Sequence, residues 1–209
     1  MKKGRYAAVA AANLLVIGFV VYAILAAYFG TAKGNMDGSG PVIFRYYTMD
    51  SNILAGLFSI PMAFFALRAL CTGRSFPAWA HTLRWVATTC IMITFLVVVV
   101  FLSSLYGLAN MNSNENLYLH TVTPLLCLVS FLFLEQGPIS FRGYGWTLLP
   151  TAVYGVLYYI MVVGTAIWPD FYGFNMGGKW YISVILMAIS TCVLSLVLWL
   201  LRKAFTPKH

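Results

Sequence analysis

The sequence predicts an all-α integral membrane protein, a six-transmembrane-helix bundle in a single domain spanning residues 1–209. Hydrophobic residues make up 61% of the 209 residues and charged residues only 9%, whereas a soluble domain exposes far more charge than this. A helix needs roughly 20 apolar residues to cross the hydrocarbon core. Windows that meet this requirement lie near 6–30, 47–70, 85–108, 117–136, 147–168 and 179–202.

The first window has a second interpretation, a cleaved signal peptide. It follows a basic start, and the segment LAAYFGTA resembles a small-residue cleavage site. The apolar stretch is longer than the usual 7–15-residue signal core, and retaining it preserves the alternation of charge between loops. We therefore expect it to be the first transmembrane helix.

The third window contains FLVVVVFL, a β-branched run that would favour a strand in water. In lipid, every backbone polar group must be paired within the segment, so a helix is expected here as well. The short alternating segments that are typical of a membrane barrel do not occur in the sequence.

Basic residues are distributed unevenly between the two sides of this arrangement. The chain has 13 Lys and Arg against 5 Asp and Glu. If the helices alternate in direction, only Lys33, Arg45 and Lys179 fall on the side away from the termini. The other basic residues share the side of the termini: Lys2, Lys3, Arg5, Arg68, Arg74, Arg84, Arg142, Arg202, Lys203 and Lys208. This positive-inside pattern predicts that the N and C termini are cytoplasmic. Without a basic soluble domain, nucleic acid is not an expected partner.

Cysteine and histidine spacing predicts no metal and no cofactor. Cys71, Cys90, Cys127 and Cys192 form no CxxC pair, so we interpret them as small buried hydrophobes. His81 is expected to be a solvated or interfacial residue of the cytoplasmic side, like His209. Neither histidine would then reach His120 across the bilayer.

Two polar residues begin apolar windows on the outer side, at the same depth. Thr48 lies in FRYYTMDSN and His120 lies in NLYLHTVTP. Ionisable groups inside transmembrane segments are functional candidates, and a hydroxyl beside an imidazole is a plausible nucleophile and base. Hydrogen bonding between helices is the ordinary explanation for such residues, and periodicity alone favours it.

Helical spacing gives each candidate polar neighbours on its own face. Residues three and four apart are neighbours on a helix, so Thr48 shares a face with Ser51 and Asn52, and His120 shares one with Asn116. Pro124 follows His120 and is expected to kink the fourth helix, because proline cannot donate the backbone hydrogen bond.

The segments FRYYTMDSNILAGL, NLYLHTVTPLLCL and WPDFYGFN occur in that order on six predicted helices. In this they resemble the androgen-induced-gene family of integral membrane proteins, and more closely its bacterial relatives, the Pr6Pr-type membrane proteins. The resemblance implies a membrane-embedded hydrolase of fatty acid esters of hydroxy fatty acids or related acyl lipids, with Thr48 as nucleophile and His120 as base. The chain departs from the family at Glu135, where relatives often have aspartate.

The expected mechanism assigns supporting roles near Thr48 and His120. A tetrahedral oxyanion needs preorganised donors, for which Ser51 and Asn52 are the nearest candidates by spacing, with Asn116 as a further polar neighbour. Asp170, in the outer loop, could orient the imidazole as a third member of a triad, or it could cap a turn.

Other residues are candidates for substrate binding. Arg45 and Lys179 could hold a substrate carboxylate, or they could contact lipid headgroups. Acyl chains are expected between the helices, near residues such as Phe58, Phe131 and Tyr158, which ordinary core packing explains equally well.

Two functions of other classes stay open. A small carrier or channel is disfavoured because the sequence shows no inverted repeat, no matching pair of broken helices and no charged residue deep in the bilayer. A non-catalytic lipid-binding subunit would also explain the polar stripes as contacts between helices. The expected partners are the lipid substrate and bilayer lipids, and the oligomeric state is open because no predicted helix contains a strict GxxxG.

Overall fold

The computed structural model describes residues 2–32, 38–135 and 137–206, with Lys33, Lys208 and His209 outside that part. Most of the described residues are helical and none forms a strand; they include six helices long and apolar enough to cross a membrane. This confirms the predicted all-α membrane fold. The helices are α1 Lys2–Tyr28, α2 Tyr47–Thr72, α3 Ala78–Leu102, α4 Glu115–Leu134, α5 Phe141–Gly164 and α6 Trp180–Phe205.

The largest difference from the predicted boundaries is the start of α3, at Ala78 rather than near residue 85. Pro77 precedes the helix in an extended conformation (φ −71°, ψ 145°). The first turns of α3 contain His81 and Arg84, which lower the hydropathy of any window that includes them. Helix α5 ends at Gly164 rather than near 168, because the backbone turns at Ala166 with φ 53°.

Helix α3 is the centre of the bundle. In its apolar window 67% of the residues are buried, against 17% in α5 and in α6. It packs against α2, α4, α5 and α6, whereas α1 packs against α2 and α4 on the other side. Successive helices run in opposite directions. We call the end where α2, α4 and α6 begin the Thr48 end, and the end where α1 begins the termini end.

The α1–α2 interface is built from small residues. Ala23 and Ala55 are fully buried there, and a Cβ added to Gly56 would come within 3.1 Å of Val20 Cγ1. Small side chains allow the backbones of transmembrane helices to approach closely. This close packing makes α1 an integral part of the bundle.

Several helices contain π turns, in which hydrogen bonds span five residues. In α4 the π turn Tyr118–Val122 carries His120, and the Thr123 N–H donates to Tyr118 O. Pro124 has no N–H to donate to the His120 carbonyl, which explains why the regular ladder breaks at this point. The other π turns are Val97–Leu102 in α3, Ser130–Leu134 in α4 and Tyr159–Gly164 in α5. Such turns occur frequently at functional sites.

Candidate functional site

Thr48 lies in the first turn of α2, with its side chain buried. Tyr46 precedes the helix in an extended conformation (φ −93°, ψ 127°) and makes no side-chain cap. The first N–H groups of a helix have no partner within that helix. The backbone N–H groups around Thr48 can therefore donate to groups outside α2.

A largely apolar cavity of about 630 Å³ lies beside Thr48, between α3, α5 and α6. Its lining follows α6 from Trp180 to Cys192, which corresponds to roughly 18 Å of helix at 1.5 Å per residue. The volume is in the range of small-molecule sites. Of the residues expected to line an acyl site, Tyr158 does so, while Phe58 and Phe131 do not belong to this cavity.

His120 is buried in the π turn of α4, and its Nδ1 atom lies 2.5 Å from Met111 O. A carbonyl oxygen can only accept a hydrogen bond, so Nδ1 must carry the proton. In the neutral ring this leaves Nε2 with a free lone pair, which is the form a general base requires. Met111 belongs to the short helix Leu108–Met111 between α3 and α4.

Asn52 connects the two candidate residues. Its Nδ2 group donates to Thr48 O at 2.8 Å and to Leu119 O, next to His120, at 3.1 Å. The first turn of α2 and the π turn of α4 therefore lie side by side at the same level. Both N–H groups of Asn52 are engaged, so the oxyanion role predicted for this amide is not supported.

The Ser51 hydroxyl is also engaged, whereas Asn116 is placed only by its burial and its backbone. The Ser51 hydroxyl donates to Thr48 O at 3.1 Å and lies 2.7 Å from Thr94 Oγ1. It therefore ties α2 to α3 rather than pointing to an unoccupied position. Asn116 is buried one turn before His120, and its backbone N–H donates to Ser113 O at 3.1 Å.

Asp170 organises the loop between α5 and α6. Its Oδ1 accepts from Tyr158 Oη at 2.7 Å and from Phe174 N at 2.8 Å, and its Oδ2 accepts from Asn175 N at 2.9 Å. These bonds match the loop-capping alternative. The predicted contact with the imidazole is not formed, because His120 Nδ1 is bound to the Met111 carbonyl instead.

The two basic residues predicted to bind a carboxylate lie outside the cavity lining. The Arg45 guanidinium donates to Tyr46 Oη at 2.8 Å and lies over the rings of Tyr46 and Phe171, at 4.9 and 5.4 Å from their centroids. Lys179 is exposed and immediately precedes α6. Neither contributes to the walls beside Thr48.

Tyr172 is a site residue that no sequence pattern singled out. Its hydroxyl oxygen accepts from Tyr47 N at 3.0 Å, and the hydroxyls of Thr48 and Tyr154 lie beside it. It lines the same cavity as Thr48 and is buried. Its place within WPDFYGFN was the available signal, but only the folded loop brings it to the start of α2.

A second polar cluster lies inside the bundle towards the termini end. Arg84 Nε lies 3.0 Å from Glu135 Oε1, and both side chains have 0% exposure. The same oxygen accepts from Ser130 Oγ at 2.8 Å and from Asn13 Nδ2 at 3.3 Å. Arg202 is also buried there and donates to the carbonyl of Phe131.

This cluster corrects two expectations. Arg84 and Arg202 were expected among the charges of the second loop and the C-terminus on the cytoplasmic side, but their side chains are buried with Glu135. His81, expected to be solvated or interfacial, is only 2% exposed. Hydropathy cannot reveal these positions, because a basic residue near a helix end looks the same whether it points to water or into the bundle.

Comparison of the chain with protein-family models, with curated proteins and with solved structures finds no match.

Proposed function

We propose that this protein is a membrane-embedded lipid ester hydrolase, with Thr48 as nucleophile and His120 as general base. The observation that carries the proposal is the position of Thr48 beside a long apolar cavity, with the π turn of His120 bound to the same turn of α2 through Asn52. The resemblance to the androgen-induced-gene family supports the same residue pair. Fatty acid esters of hydroxy fatty acids, or related acyl lipids, are the proposed substrates.

The reaction follows from ordinary acyl-transfer chemistry. A threonine hydroxyl is a weak nucleophile unless a base removes its proton. His120 Nε2 takes the proton as Thr48 Oγ1 attacks the ester carbonyl, and then returns it to the leaving alcohol. Water hydrolyses the acyl-Thr48 intermediate, with His120 again acting as base. No metal or cofactor takes part in this scheme.

We also propose that the Thr48 end faces away from the cytoplasm of a bacterial inner membrane. The support is the excess of Lys and Arg in the loops and termini at the opposite end, which is the arrangement favoured in cytoplasmic segments. Substrate would then reach Thr48 from the outer leaflet.

Replacing His120 by asparagine is expected to lower kcat by roughly 10²–10⁴-fold, the usual contribution of general acid–base catalysis. Asparagine can keep an N–H donor for Met111 O but has no counterpart of Nε2. Steady-state hydrolysis of a fluorogenic acyl ester in detergent or nanodiscs measures the effect. His120→Gln is measured in the same assay as a second replacement of the imidazole. Wild-type turnover in His120→Asn would rule out the base role.

Filling the cavity is expected to select against long acyl chains. Gly155 lines the cavity, and a Cβ added there meets no atom within 4 Å. Gly155→Leu should therefore fold well, since leucine is a better helix former than glycine. It should lower kcat/KM for a long-chain ester by about tenfold or more while sparing a short-chain ester, because lost apolar contacts are worth about 1–3 kcal/mol.

Gly145→Leu is the matched control for this experiment. Gly145 lies in the same helix with equally open surroundings, but it does not line the cavity. Equal activity of Gly155→Leu and wild type on both esters would show that the acyl chain lies elsewhere.

A non-catalytic lipid-binding role is the second candidate, favoured by the largely apolar cavity lining. Such a protein would bind acyl lipids stoichiometrically without turnover. Purified protein that retains a lipid but releases no fatty acid over many equivalents of ester would favour this function over hydrolysis.

A further inference from the structure

A hydrolase of this kind needs a donor for the oxyanion that forms on the substrate carbonyl oxygen. The two side chains expected to provide it are engaged elsewhere: Asn52 donates to two backbone carbonyls and Ser51 to Thr48 O. A hydroxyl that lines the cavity beside Thr48 is therefore the better-placed donor.

The Tyr172 hydroxyl occupies such a position. Its oxygen lies 3.0 Å from Tyr47 N and accepts that N–H, which places the hydroxyl at the first turn of α2, the turn that contains Thr48. Tyr172 and Thr48 both line the cavity. A carbonyl attacked by Thr48 Oγ1 would therefore form its oxyanion next to this hydroxyl.

The loop holds Tyr172 in place through a chain of hydrogen bonds. Tyr172 N donates to Tyr158 Oη at 3.3 Å, and that hydroxyl donates to Asp170 Oδ1 at 2.7 Å. The Tyr172 ring also packs against the rings of Tyr158 and Phe171, with centroids 5.7 and 4.7 Å apart. A donor positioned before the reaction is what effective oxyanion stabilisation requires.

The surroundings keep Tyr172 in its protonated form. Burial raises the pKa of this phenol to about 12, while hydrogen bonds from its neighbours oppose the rise. Near neutral pH the group is therefore a hydrogen-bond donor rather than a base. The N–H groups at the start of α2 carry the partial positive charge of a helix N-terminus, and their contact with the phenol oxygen strengthens its O–H as a donor.

We propose that Tyr172 is a catalytic residue of the hydrolase, donating its phenolic hydrogen bond to the oxyanion. This inference rests on the proposed function. Attack forms the bond between Thr48 Oγ1 and the carbonyl carbon, and the C=O π electron pair moves onto the oxygen, which accepts from Tyr172. Collapse restores C=O and breaks the bond to the alcohol oxygen, which takes the proton that His120 had removed from Thr48.

Tyr172→Phe tests the assignment, because it removes the hydroxyl and keeps the ring. The expected result is a roughly 10²–10³-fold fall in kcat, as for the loss of one oxyanion donor, with little change in KM. Tyr144→Phe is the matched control, since it removes a hydroxyl that donates to Cys192 O at 2.9 Å, towards the termini end. The control should keep wild-type kcat.

Rates are normalised to the folded fraction measured by size exclusion, and Tm is recorded for each variant. Wild-type kcat in Tyr172→Phe would overturn the assignment while leaving the hydrolase proposal intact. A fall in kcat no larger than that of Tyr144→Phe, or a rise in KM alone, would also overturn it, because a packing role predicts those results. Absence of turnover in the wild type would instead contradict the proposed function itself.

Discussion

Replacing Thr48 by alanine is expected to reduce ester hydrolysis by roughly 10⁴–10⁶-fold, the range seen when an acyl-transfer enzyme loses a member of its catalytic machinery. The reason is chemical: without Thr48 Oγ1 the proposed acyl-enzyme intermediate cannot form. Thr48→Ser keeps the hydroxyl and should retain substantial activity.

The Thr48 prediction is tested first by comparing turnover among variants. Turnover of a long-chain ester is compared among the wild type, Thr48→Ala and Thr48→Ser, with Tm recorded for each. Thr191→Ala serves as the matched control, because Thr191 lines the same cavity and its hydroxyl donates to Met187 O at 2.7 Å. The control should keep most of the wild-type rate.

Labelling with a fluorophosphonate probe is an independent test of the same prediction. Mass spectrometry should locate the covalent adduct on Thr48 in the wild type and find none in Thr48→Ala. Undiminished turnover in folded Thr48→Ala, or an adduct on a different residue, would contradict the nucleophile assignment.

Replacing Glu135 by glutamine is expected to lower the free energy of unfolding by about 3–5 kcal/mol, the usual effect of removing one partner of a buried ion pair. Glu135 Oε1 lies 3.0 Å from Arg84 Nε and accepts two further hydrogen bonds, from Ser130 and Asn13. Without the carboxylate, the Arg84 charge is left uncompensated in the interior, beside a buried Arg202.

Thermal unfolding in detergent, or unfolding by SDS titration, measures the loss. The double variant Arg84→Met with Glu135→Met should be more stable than Glu135→Gln, because apolar replacement of a whole buried pair is often neutral or stabilising. Arg74→Gln, at an exposed loop position, is the charge control and should change stability by less than about 1 kcal/mol. A Glu135→Gln variant as stable as this control would contradict the ion-pair account.

The bundle itself could be predicted from composition and window length, because a helix that crosses a bilayer must be long, apolar and internally hydrogen-bonded. The depth of Thr48 and His120 followed from their positions at the starts of two windows. The start of α3 could not be predicted in the same way. His81 and Arg84 point into the bundle, and a hydropathy window scores them as loop residues.

The residues around Thr48 show more clearly what helical spacing cannot predict. Helical spacing correctly placed Ser51 and Asn52 beside Thr48, since neighbours at three and four residues share a face whatever surrounds the helix. What their polar atoms bind depends on other helices: Leu119 O in α4 takes an Asn52 N–H, and Thr94 in α3 meets the Ser51 hydroxyl. Spacing within one helix contains no information about these partners.

The class of protein, the helix count and the two candidate residues could be predicted from the sequence, because they depend on local composition and on residues close in the chain. Which polar groups meet depends on how the helices and loops pack. Packing brings Tyr172 to the start of α2, 125 positions away, pairs His120 Nδ1 with Met111 O, and buries Arg84 against Glu135. These contacts form between segments that are distant in the chain. Burying a polar group without a hydrogen-bond partner costs free energy, so the folded chain pairs such groups, and no local sequence pattern identifies the partner.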